Sequence, residues 1–151
     1  MRVGGAYEGV TIPIIAGIDI LKMVLDFTKY NSVDIKNLEN YSLKDNNVHL
    51  STQLFFCGAG EIDFMTPAED IEQIPFVKAF SYSYKPGDTI KRLVNATARA
   101  GYIVIEGNGF DDMIKNVNYV FDQIKILDKS GKNLIIKYSD YDNKYLFKNV
   151  Q

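Results

Sequence analysis

Thiols and imidazoles are almost missing from this chain. Its 151 residues include one cysteine, Cys57, and one histidine, His49. One thiol cannot make a disulfide framework or a thiolate metal cluster, and one imidazole argues against a histidine-built metal site. An excess of either charge is missing too. The formal net charge is −2 and the lysines and arginines are scattered, so the electrostatic footprint of a nucleic-acid binder is lacking. No basic amphipathic helix stands out for a membrane surface. No apolar run approaches the roughly 20 residues that span a bilayer, and no secretory leader opens the sequence. The expected compartment is the cytoplasm, with neither nucleic acid nor membrane as a partner.

What is present is an ordinary globular composition, 46% hydrophobic and 24% charged. The chain is long enough for one domain with a real core. Between Thr11 and Tyr30 it is largely apolar. Ile14, Ile18, Leu21 and Leu25 recur at helical spacing, and Met23, Val24 and Phe27 widen the stripe. Pro13 suits a first helical turn. A later start, with Asp19 as N-cap, is the alternative. Residues 31–47 are polar and asparagine-rich, a connector. Val48 to Phe56 alternates as a half-buried strand, with Val48, Leu50, Thr52, Leu54 and Phe56 on one face. Glu61 to Met65 reads as a second strand after the Gly58-Ala59-Gly60 turn. Thr66, Pro67 and Glu69 read as the cap and first turn of a short helix that must end before Pro75.

Phe76 to Tyr84 reads as a strand with Phe76, Phe80, Tyr82 and Tyr84 on one face. Lys85-Pro86-Gly87-Asp88 fits a type II turn. Tyr102 to Glu106 is a short apolar strand, and Gly107-Asn108-Gly109 turns into a helix over about Asp112 to Ile126. Its apolar stripe is Met113, Ile114, Val117, Val120, Phe121 and Ile124. Asn133 to Tyr138 reads as a last strand. The expected fold class is α+β: N-terminal helices, a mainly antiparallel sheet, and a C-terminal helix packed across it.

The sharpest chemical element is Arg2-Val3-Gly4-Gly5. A guanidinium is a permanently charged bidentate fork for carboxylate or phosphate oxygens. Two glycines beside it let backbone N–H groups approach a ligand closely. This element, the Thr11–Leu21 segment with Gly17-Ile18-Asp19, Lys85-Pro86-Gly87-Asp88, and Arg99-Ala100-Gly101-Tyr102-Ile103-Val104 occur in an order that resembles the ATP-grasp superfamily of carboxylate–amine ligases. The carbamoyl-phosphate-synthase-like and amino-acid-ligase branch is the most similar. The resemblance runs from residue 2 to about residue 126. It implies an ATP-grasp C-terminal lobe, with residues 1–30 a remnant of the catalytic lobe, 31–47 a connector and 48–151 the α+β lobe.

By the same resemblance, Arg2 is the catalytic residue that holds a phosphoryl or acyl group, and Gly4 and Gly5 bind substrate. ATP and Mg²⁺ are cofactors of the parent enzyme. The family's acidic metal ligands and motif asparagine would precede Met1, so no metal ligand and no cofactor is expected for this chain alone. Its expected partners are the absent N-terminal ATP-grasp lobe and a second copy of the chain, paired through residues 12–27.

Other candidates read as structural. Cys57 lies among Phe55, Phe56 and Gly58 with no adjacent base, so it reads as a buried thiol. His49 falls on the polar face of its strand. Glu69-Asp70 and Asp111-Asp112 open helices, where the helix dipole accounts for them, and Asp140 with Asp142 is the remaining close pair. The aromatic row from Phe76 to Tyr84 reads as core, and Arg99 as a tie within the lobe. The leading function is a ligase fragment that works through an acyl phosphate in its parent and is inactive alone. The alternative is a non-catalytic α+β module that self-associates or binds a partner chain.

Overall fold

A computed structural model describes residues 7–39 and 48–136. The apolar N-terminal run forms two helices, α1 (Glu8–Ala16) and α2 (Ile20–Tyr30), packed on each other. Gly17 breaks the run. It adopts φ 66°, a left-handed conformation open to glycine, and its N–H bonds the Pro13 carbonyl. Asp19 then caps α2, its carboxylate accepting the Lys22 N–H at 2.9 Å. Pro13 sits inside α1 rather than in a first turn, so one rung of that helix ladder is missing. A one-turn helix, α3 (Lys36–Glu39), lies within the stretch read as a connector.

The centre is a three-stranded antiparallel sheet of β1 (His49–Phe55), β4 (Val77–Tyr82) and β6 (Gly101–Gly107), with β6 in the middle. Ile103, Val104 and Ile105 are all fully buried, because both faces of β6 are covered. Ile103 and Ile105 join the main core with Phe55, Phe80, Val117, Val120 and Ile124. This is the face that α5 (Phe110–Gln123) closes, while the short α4 (Ala68–Glu72) packs on β4. Met113, Val117 and Val120 are the buried face of α5. Each such side chain contributes roughly 1.5–3 kcal/mol by leaving water. On the opposite face, Tyr102 pairs across the ladder with Leu54 and Ser81, and the Tyr7 ring lies against it at 4.3 Å.

Several expectations change in detail. On β1 the inward side chain is Phe55, not the leucine row, since Phe55 is the residue that enters the core. The β4 ladder is irregular between Val77 and Ala79, and this bulge turns Val77 inward beside Phe80. The expected strand from Glu61 to Met65 is two separate pieces, β2 (Gly60–Glu61) and β3 (Phe64–Met65). They pair respectively with β5 (Thr89–Ile90) and β7 (Ile126–Leu127). Thr66 does not cap α4, whose N-cap is Pro67. Its hydroxyl donates to the Gln123 carbonyl at 3.0 Å and accepts the Lys125 N–H at 2.9 Å, fastening the end of α5. In the expected last strand, Asn133 and Ile135 form only isolated bridges, to Leu127 and Cys57. The antiparallel sheet with its packed C-terminal helix makes the domain α+β.

Candidate functional site

Arg2, Gly4 and Gly5 lie outside the described residues, as do Asp140 and Asp142. The described chain begins at Tyr7. Its carbonyl accepts the N–H groups of Val10 and Thr11 and the Thr11 hydroxyl, so it serves as the first carbonyl of α1. Among the described residues its buried hydroxyl has no hydrogen-bond partner.

A polar cleft of about 370 Å³ opens where β6 hands over to α5. Its lining is Pro75, Phe76, Glu106, Gly107, Asn108, Asp112 and Asn116. Asp112 and Asn116 stand one turn apart on the same side of α5, and Asn108 lies in the bend just before that helix. The Asp112 carboxylate accepts the Asn108 N–H at 2.9 Å, and the Asn116 amide donates to the Glu106 carbonyl at 2.9 Å. The Glu106 carboxylate pairs with Lys78 at 2.6 Å. Gly107 is required here. A Cβ at this position would collide with the Met113 backbone at the first turns of α5. The lining offers hydrogen-bond acceptors and an apolar floor, with no nucleophile. It can bind and orient a donor-bearing group, and it holds no catalytic constellation. Sequence reading missed this cleft because a polar stripe on a surface helix has the pattern of a solvated face.

The remaining candidates behave as structural groups. Cys57 is 1% exposed, and burial pushes its thiol up to about 12, so it remains protonated and inert. His49 is exposed. The aromatic row packs in the core: Phe80 and Tyr82 meet edge to face at 4.6 Å, and Phe55 stacks on Phe80 at 6.1 Å. Burial, and after it the nearby Cys57, raises the Tyr82 phenol, whose hydroxyl donates to the Thr66 carbonyl at 2.9 Å. Lys85-Pro86-Gly87-Asp88 forms the expected turn. Gly87 sits at φ 91°, the Asp88 N–H bonds the Lys85 carbonyl, and the Asp88 carboxylate accepts the Lys85 N–H. Arg99 has no acidic partner among the described residues, so the tie expected of it is not formed there. Among the described residues no three His, Cys, Asp or Glu side chains gather into a metal site. Among them, no helix is long and apolar enough to cross a membrane.

Residues 53–127 match the family described as L-amino acid ligase C-terminal domain 2. The match runs from the middle of β1 to the end of β7. Two solved structures share the fold. A phosphoribosylglycinamide synthetase from Anaerococcus prevotii superposes with a TM-score of 0.63 at 16% identity, over 78% of this chain and 29% of that one. An L-amino acid ligase from Bacillus licheniformis superposes with a TM-score of 0.64 at 16% identity, over 85% of this chain and 31% of that one. The curated proteins contain no match. The chain therefore spans about three tenths of the length of either solved structure. In fold, and over residues 53–127 in family match, the chain is similar to the C-terminal part of an ATP-grasp ligase.

Proposed function

We propose that the chain serves an ATP-dependent ligase that joins a carboxylate to an amine or ammonia through an acyl phosphate, and that it is inactive without the rest of that enzyme. The single observation that carries this reading is the family match from the middle of β1 through β4, β6 and α5. That family's description favours the amino-acid-ligase side of the resemblance over the carbamoyl-phosphate-synthase-like side. The expected partner is the remainder of an ATP-grasp catalytic lobe.

In this reading Arg2 grips the phosphoryl or acyl oxygens as negative charge builds on them, and Gly4 and Gly5 supply close backbone donors. ATP and Mg²⁺ belong to the complete enzyme. The described residues offer no donor set for the metal, so no step is assigned to it here. Titration calorimetry of the 151-residue chain with Mg-ATP tests the first half of the proposal. No binding is expected in the micromolar range, near −8 kcal/mol. A saturable signal there would contradict it. In the complete enzyme, Arg2→Ala is expected to cost on the order of 10²-fold in turnover, the scale of one lost transition-state donor. Unchanged turnover would remove the role given to Arg2.

A further inference from the structure

Among the described residues, β1 pairs with β6 on one side and with no strand on the other. Along a strand, successive residues turn their main-chain N–H and C=O groups to opposite sides. The ladders say which residues of β1 turn where. The Glu106 N–H bonds the Phe76 carbonyl beside β4, so Gly101, Ile103 and Ile105 turn their groups toward β1, where they meet Phe55, Gln53 and Ser51. Leu54, Thr52 and Leu50 therefore aim theirs at the side without a strand. A row of such groups is a template for another strand.

Just past the end of β1, that side has an occupant. The Gly58 N–H bonds the Leu134 carbonyl at 2.8 Å, and the Ile136 N–H bonds the Phe56 carbonyl at 2.9 Å. Cys57 and Ile135 face each other between these bonds, antiparallel. Ile136 is the last described residue, and residues 137–151 follow it. They contain neither glycine nor proline, the residues that weaken or interrupt a ladder.

We propose that residues 137–142 run antiparallel along the free edge of β1 as a fourth strand of the central sheet. The Cys57–Ile135 bridge sets the register. Tyr138 comes opposite Leu54, Asp140 opposite Thr52 and Asp142 opposite Leu50, each pair exchanging two main-chain hydrogen bonds. Ser139 and Tyr141 fall between them, with their N–H groups turned away from β1. The position of Ile136 selects this occupant. Each further pair extends a ladder that has already started, so it closes no new loop. A strand from a second molecule would also have to give up its translational and rotational freedom.

Amide hydrogen exchange, read residue by residue in the 151-residue chain, tests the pairing. The amides of Leu54, Thr52 and Leu50 are expected to be protected along with those of Phe55, Gln53 and Ser51. Asp140→Pro removes the N–H that reaches Thr52 and is expected to speed exchange at Thr52 and Leu50 by about tenfold or more, the scale of one lost hydrogen bond. The amides of Phe55, Gln53 and Ser51 bond to β6 and are expected to keep their rates. Ser139→Pro loses an N–H on the outer side, which an edge strand tolerates, so all six amides are expected to stay unchanged. In a Ser51→Cys, Tyr141→Cys variant, oxidation is expected to close a disulfide within one 17.1 kDa chain, because a pair of this kind sets its Cα atoms about 4.5 Å apart. Cys57 is 1% exposed and does not compete. Fast exchange at Leu54, Thr52 and Leu50 in the parent chain overturns the proposal. So do two prolines of equal effect, or a disulfide that links two chains.

Discussion

The ring of Tyr7 lies 4.3 Å from that of Tyr102, tilted by 34°. Tyr102 sits on β6, the middle strand, on the face that α5 leaves uncovered. This contact fastens the start of α1 to the centre of the sheet. It also fixes where the chain emerges from the segment that carries Arg2.

Tyr102→Ala is expected to loosen that attachment. An aromatic pair adds about 0.5–1.5 kcal/mol beyond the area it buries. Hydrogen exchange should quicken through α1 while α5 keeps its protection. Tyr102→Phe keeps the ring and is expected to leave both unchanged. Equal loosening by the two variants would mean that the hydroxyl, not the stacking, matters.

Gly101→Ala is expected to be severely destabilising. A Cβ there would collide with the Phe55 ring and with the Ser81 carbonyl. Overpacking costs roughly 1–3 kcal/mol or more, and here one obstacle is backbone that cannot swing aside. At Gly109 a Cβ would meet nothing within 4 Å, so Gly109→Ala is the matched control. Urea unfolding of both variants checks the contrast.

Thr66→Val is expected to cost roughly 1–3 kcal/mol. The replacement keeps the shape but removes the hydroxyl that donates to Gln123 and accepts from Lys125. The junction between β3 and the end of α5 should then exchange faster than the rest of the core. Thr66→Ser, which keeps the hydroxyl, should recover most of the loss.

Stability is expected to fall as pH rises above about 8.5, the ordinary cysteine value. Burial pushes the Cys57 thiol up to about 12 in the folded chain. Between those values the unfolded chain loses the proton and the folded chain keeps it, so the unfolded state gains as pH rises. Below about 8.5 the thiol is protonated in both states and contributes no slope. Cys57→Ala should flatten the alkaline limb of the unfolding midpoint. An identical limb in that variant would assign the slope to other groups.

The parts of the fold legible in the sequence are those in which a local pattern decides. The stripe from Met113 to Ile124 can bury only one face of a helix, and Pro86-Gly87 can form only a few turns. The N-terminal run shows where local pattern fails. Helical spacing passes straight through Gly17, so the stripe hides a break that the left-handed glycine and the Asp19 cap create. Thr66 has the sequence context of a helix cap, yet its partners lie 57 and 59 positions away. The inward turn of Val77 depends on a bulge set by the register against β6, which no property of Val77 signals. As for the sites, Cys57 was legible as an inert thiol from its apolar neighbours. The cleft beside α5 was not, because Asn108, Asp112 and Asn116 have the composition of a wet surface until Gly107 folds the strand against the helix.

The order of the central sheet has a consequence for biosynthesis. β1 and β4 form no ladder with each other; each pairs with β6, which comes later in the chain. A ribosome adding about 5–20 residues per second takes roughly 2–10 s to go from Phe55 to Gly101. Phe55 spends that whole interval, and Phe80 its later part, on strands with no ladder to join. Arrest-peptide force measurements on nascent chains of increasing length should register folding only once the codons for Gly101–Gly107 have been read and that strand has cleared the exit tunnel. A signal from shorter chains would mean that β1 or β4 finds an earlier, non-native mate. The nascent chain is thus most in need of a chaperone while the stretch between Phe55 and Gly101 is being made.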